Sequence, residues 1–181
     1  MDLIRIGDKV VSLSRISNYT EQILLARSQG LSQQDVAKKF NVDRSFVSRL
    51  ETLGELRKGR SIAVIGFPIA NPGEITQLCQ ELGVELCWVM TNKERWEYAQ
   101  SRNGIELVNE IMDLANRFRQ FDCVILMASN ARVRLMAALL DSRTVVPLVL
   151  GETPLSSDVA VDVETLRRTI LSVTETAPSK K

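Results

Sequence analysis

Apolar residues in the first third of the chain recur at three- and four-residue spacing. From Ser61 onward they come in short unbroken runs divided by helical stretches. Residues three and four apart are neighbours on a helix, so Val36, Ala37 and Phe40 share one face, and Val47 and Leu50 share another beyond a break at Asn41-Val42. The spacing predicts two short helices joined by a tight turn over 32–51. Asn41 suits that turn because Asn tolerates the left-handed conformation of a sharp helix exit. Ala37 is small where the two helices must cross. Ser32, with Asp35 three residues on, is close to a capping box, and Asp43 is placed to cap the second helix. The second helix is predicted over about 44–53, stopping at Gly54. Ahead of the pair, Ser17 caps a helix to about Ser28, with Tyr19, Ile23, Leu24 and the stem of Arg27 facing in and Gly30 ending it. Residues 3–12 alternate and break at Gly7-Asp8, which predicts a short β-hairpin.

Beyond Ser61 the wholly apolar runs SIAVIGF, VELCWVM, DCVILMAS and TVVPLVLG predict strands, with DVAVDV as a candidate fifth. Pro147 places the fourth at an edge or bulge. Between them lie helical stretches: 75–83, then 92–121 in two pieces divided near Asn103-Gly104, then 130–142, and last 164–173. The second of the two pieces sets Ile105, Val108, Ile111, Met112, Ala115 and Phe118 on one face. Alternating apolar strands and helices imply a parallel sheet covered on both faces. The expected class is α/β: an N-terminal helical domain, then a small doubly wound, mostly parallel sheet of four to five strands, Rossmann-like or flavodoxin-like.

The predicted boundaries are 1–57 for the helical domain, 58–61 for a polar linker, 62–173 for the α/β domain and 174–181 for a disordered tail. Charge divides along the same line. Residues 1–60 carry 11 Lys/Arg and 7 Asp/Glu, a net of +4, while the remainder is at −3. A basic first part suggests contact with a polyanion. No run of 18 apolar residues predicts a membrane span, and the N-terminus lacks a signal pattern. The chain has no His, so Cys–His nucleophile pairs and His-based metal sites are excluded. Cys79, Cys87 and Cys123 lie in apolar segments without metal or disulfide spacing, which points to core thiols in a reducing cytoplasm.

The stretch SQQDVAKKFNVDRSFVSRLE (32–51) leaves Arg44, Ser45, Ser48 and Arg49 on the outer face of its second helix. Such side chains can hydrogen-bond phosphates and base edges, and a helix of this size fits the major groove. With Gln33, Ala37, Asn41, Val42, Val47 and Leu50 in place, the stretch resembles the helix-turn-helix of bacterial regulators of the lambda-repressor/Cro class, over roughly 16–54. The resemblance implies a phosphate contact at Gln33, with Gln34 beside it, and a groove-facing set of Arg44, Ser45, Ser48 and Arg49. Lys38 and Lys39 either add backbone contacts or form a solvated face. Phe46 either meets a thymine methyl or packs inward. The chain departs from that class after Gly54, where a strand follows directly in place of further helices.

In the α/β part, ligands are expected at the carboxyl ends of the strands. Asn71, Ser129 and Asn130 are the candidate effector-pocket residues there, although Ser129 or Asn130 would also serve simply as a helix cap. The first loop, GFPIANPG, matches neither phosphate-binding fingerprint, and no catalytic constellation is visible. The expectation is therefore a non-enzymatic transcriptional regulator without cofactor or metal. It binds double-stranded DNA as a homodimer and is a candidate for a small-molecule effector. The alternatives are a small α/β ligand- or nucleotide-binding protein or enzyme with an accessory helical module, and a scaffold whose helical module binds protein.

Overall fold

The computed structural model describes residues 2–56 and 58–174, in two compact units bounded as Met1–Glu55 and Leu56–Lys181. The first begins with a hairpin, β1 (Leu3–Ile6) and β2 (Lys9–Ser12), turned at Gly7, whose φ of 59° suits glycine. Helix α1 (Leu13–Ser28) follows without a break, its cap Ser12 lying five residues before the predicted cap Ser17. Three acceptors explain the early start. Asp2 takes the Leu13 N–H on its carbonyl at 2.8 Å and the Ser14 N–H on its carboxylate at 3.0 Å. The Ser12 hydroxyl takes the Arg15 N–H at 3.3 Å. Those are the orphan donors of a helix N-terminus, so Ser17 lies inside the helix.

Helix α2 (Gln33–Phe40) is capped by Ser32, whose hydroxyl accepts the Asp35 N–H at 3.1 Å and donates to the Asp35 carboxylate at 2.6 Å. Asn41 closes it in the left-handed region (φ 50°, ψ 51°), and the Val42 N–H reaches back to the Ala37 carbonyl at 3.0 Å. Helix α3 (Arg44–Gly54) starts after Asp43, which makes no side-chain capping bond. Ile23, Ala26, Val36, Ala37 and Val47 form the buried core, with Phe40 and Leu50 packed against it. Each large member contributes about 1.5–3 kcal/mol by burial. Tyr19 and Leu24, expected to face in, are instead exposed. Tyr19 packs edge-on to Phe40 and donates its hydroxyl to the Phe40 carbonyl.

The second unit is a four-stranded parallel sheet flanked by helices, consistent with a Rossmann-like or flavodoxin-like fold. Its strands are β3 (Ile62–Gly66), β4 (Leu86–Val89), β5 (Cys123–Ser129) and β6 (Val145–Gly151), in the order β4-β3-β5-β6. Alternation along β3 and β5 sends Val64, Ile125 and Met127 to one face and Ile65, Val124 and Leu126 to the other. Helices α4 (Pro72–Glu81) and α8 (Val163–Val173) cover the first face through Ile75, Leu78, Leu166 and Ile170. The second face meets Phe118 of α6 (Gly104–Phe118) and Val133 of α7 (Asn130–Leu139). Between β4 and α6 lies α5 (Asn92–Gln100). Cys79 and Cys123 are buried and Cys87 half-buried, all as free thiols.

Four further expectations meet a different structure. The candidate fifth strand forms only a single bridge, Ile69 to Val159. The Asn71 side chain takes the place of a ladder, accepting from the Val161 N–H and donating to the Val161 carbonyl, each at 3.0 Å. The predicted linker is anchored on the second unit: the Gly59 N–H bonds the Val173 carbonyl at 3.1 Å, and Asp122 accepts the N–H groups of Arg60 and Ser61 at 3.0 and 3.2 Å. Thr174, assigned to the tail, pairs with Gly59, and residues 175–181 lie outside the described residues. Finally, α6 does not bury the face its periodicity marks. Phe118 is buried, but Ile105 is 77% exposed and Met112 60%, with Val108 and Ile111 exposed beside them. Periodicity shows that an apolar face exists, not what covers it.

Candidate functional site

In the first unit the outer face of α3 carries Arg44, Ser45 and Arg49, all exposed, while Val47 points into the core. The 100° step of a helix separates the two sets. Ser48 is half-buried and less available than its neighbours. Phe46, Lys38 and Lys39 are exposed, so Phe46 does not join the core, and the Lys39 ammonium lies 5.6 Å from the Phe40 ring centre.

Polar side chains tie all three helices together. Arg27 of α1 pairs with Glu51 of α3 and also donates to the Leu31 carbonyl. Glu51 accepts from Gln33 Nε2 of α2 at 2.7 Å, and Gln33 Oε1 accepts from Arg44 Nε at 3.4 Å. The Arg27 and Gln33 bonds hold the Glu51 carboxyl below its ordinary 4.5. Arg44 thus presents its guanidinium from a braced position. Gln33 keeps a second amide hydrogen, since Nε2 bonds Glu51 alone among the described residues. Gln34 is exposed beside it. The sequence singled out Gln33 and Arg44 and set the Arg27 stem inward, but missed the pairing of Arg27 with Glu51. Their long separation in the chain leaves no local signal of the pairing.

In the second unit, Ser129 and Asn130 meet at Thr153, whereas Asn71 is tied elsewhere. Asn71 is tied to Val161 and donates to the Glu74 carboxylate at 2.8 Å. Ser129 is fully buried and accepts from the Thr153 hydroxyl at 2.8 Å. Asn130 Oδ1 accepts the N–H groups of Ala131 at 2.7 Å and Thr153 at 3.1 Å. These groups pin the loops after the strands, and none lines the cavity of this unit.

That cavity, about 340 Å³, lies between α5, α6 and α7 over the sheet, lined by residues such as Phe67, Trp88, Met90, Ala115 and Met136. Two cations, Arg95 and Arg132, also reach it. Arg132 was missed in the sequence, yet it left a trace. It shares a helical face with Leu135, Met136 and Leu139, the one charge on an otherwise apolar stripe.

Among the described residues no cluster of His, Cys, Asp and Glu is placed to hold a metal ion, and no helix is long and apolar enough to cross a membrane. No family model matches the chain, and no curated protein matches it. Among solved structures it is similar to the PhyR stress response regulator at 18% identity, over 94% of this chain and 68% of that one, with a TM-score of 0.22. A likeness at that score carries no argument about fold or function.

Proposed function

We propose that the chain is a sequence-specific regulator of transcription whose first unit is a helix-turn-helix of the lambda-repressor/Cro kind, binding double-stranded DNA as a homodimer. The observation that carries this reading is the split of α3: Val47 buried on one side, Arg44, Ser45 and Arg49 exposed on the other. The left-handed turn at Asn41 supports it by fixing the angle between α2 and α3. In the major groove, the two arginines would take guanine edges or phosphates, and Ser45 either. Gln33 and Gln34, at the start of α2, would meet the backbone. The Arg27–Glu51–Gln33–Arg44 chain would keep α3 from rolling as it docks.

One such unit makes few phosphate contacts, so useful affinity calls for two copies on half-sites about one helical turn apart. Binding to mixed-sequence duplex DNA across a salt series tests the reading. The expected result is affinity that falls steeply with salt, and a shallower slope, by about one per lost phosphate contact, in Arg44→Ala/Arg49→Ala. Absence of binding at low salt by the folded protein would overturn it and move the search for function to the second unit.

A further inference from the structure

We infer that the space between α5, α6 and α7 is a binding site for a small amphipathic organic anion, with an apolar body and one compact anionic head such as a carboxylate. The inference stands on the second unit alone and does not depend on DNA binding.

Size and lining set the body of the ligand. A volume of about 340 Å³ falls at the lower end of small-molecule sites. Phe67, Trp88, Met90, Ala115, Met136 and Leu139 present carbon and sulfur to it. Two of them are methionines, whose unbranched side chains adapt to irregular shapes.

Charge sets the head. Arg95, in the first turn of α5, and Arg132, in the first turn of α7, are the charged residues that reach the cavity, and no carboxylate among the described residues lines it. Arg132 Nη1 is buried without a hydrogen-bond partner among the described residues. The side chain as a whole is half-buried, but a buried donor is rarely left without a partner. The Arg132 guanidinium rests 5.6 Å from the Phe67 ring centre, so it is packed in place. Burial and then the charge of Arg95 draw its pKa below the ordinary arginine value.

The carboxylate bonded to the cavity-lining Tyr98 is already matched by another cation. Glu110 of α6 accepts from the Tyr98 hydroxyl at 2.5 Å and pairs with Arg102. Arg95 donates to Asn92 Oδ1 at 2.7 Å and lies over Trp96, which leaves its remaining donors for a ligand. Phe67 and Met90 follow β3 and β4 directly, so the cavity opens near the carboxyl ends of the strands. That is where open parallel sheets bind ligands.

Calorimetric titration of the full chain, without DNA, tests the inference with three ten-carbon probes: decanoate, decanol and decylammonium. Decanoate is expected to bind one per chain, about tenfold or more tighter than decanol, with decylammonium weaker than both. Arg132→Met keeps the volume and removes the charge. It should abolish the preference for decanoate while leaving decanol unchanged. Ala115→Trp fills the cavity from α6 and should remove both. Equal affinity for decanoate and decanol in the unaltered protein, no heat up to about 1 mM decanoate, or decanoate binding that survives Ala115→Trp would each overturn the assignment. The first two need no variant, so a variant that fails to fold leaves the test intact.

Discussion

At the scale of single residues, Asn41 does the most for the first unit with the least. Its positive φ is a conformation that costs most side chains roughly 1–2 kcal/mol. Asn41→Ala is therefore expected to lower the stability of the unit by about 1 kcal/mol, and Asn41→Gly to change it by only a few tenths. Denaturant unfolding of the two variants checks this. An equal loss in both would mean that the Asn side chain, not its backbone, matters.

Glu51 makes a second residue-level prediction through pH. Its carboxyl is held below 4.5, first by the Arg27 bond and then by Gln33. A depressed carboxyl contributes stability above its unfolded pKa and loses it as pH falls through the folded value. The first unit should thus weaken below about pH 4.5, and Glu51→Gln should flatten that limb. Because the pair is partly solvated, the effect at neutral pH is expected to be under about 1 kcal/mol. Acid titrations followed by circular dichroism would show it. An unchanged acid limb in Glu51→Gln would place the titration elsewhere.

At the scale of elements, what the sequence made legible was whatever depends on near neighbours. The Ser32 cap, the left-handed Asn41 and the division at Asn103-Gly104 all rest on residues within one turn of each other. What it hid depends on remote partners. DVAVDV reads as a strand until Asn71, ninety residues away, takes the backbone groups of Val161. The start of α1 moved because Asp2 supplies acceptors from beyond the hairpin. The candidate site follows the same rule. The exposed face of α3 is written in its periodicity, but the brace behind it and the arginines around the cavity come from separate helices.

The entry to the second unit is another remote pairing with a sharp consequence. A Cβ on Gly59 would lie 2.0 Å from Cβ of Asp122, the residue that holds Arg60 and Ser61. Gly59→Ala should therefore destabilise the second unit by about 1–3 kcal/mol, with the first unit unaffected. Thermal unfolding resolved by unit would reveal this, and an unshifted transition would show that Asp122 can move aside.

At the scale of the whole molecule, the proposed homodimer requires a surface that joins two copies. The Ile105, Val108 and Met112 row of α6 is exposed despite its apolar character. Large exposed apolar patches mark contacts more often than solvent-facing skin. If the homodimer forms through this row, Ile105→Glu/Met112→Glu should give a monomer in sedimentation equilibrium and weaken DNA binding by about tenfold or more, while leaving the α3 face intact. A dimer that persists would move the contact to another surface.

The edge of the sheet at β6 shows how such exposure is kept from becoming a hazard. Thr144 accepts from the Val124 N–H, so alternate residues of β6 bond inward to β5 and Val145, Pro147 and Val149 turn their backbone outward. Pro147 is exposed at the middle of that outward row and has no N–H to give. A misfolded or newly made chain that tries to add itself to this edge meets a gap where the template should continue. The ring thus acts as a gatekeeper against cross-β growth from a strand whose other residues favour it.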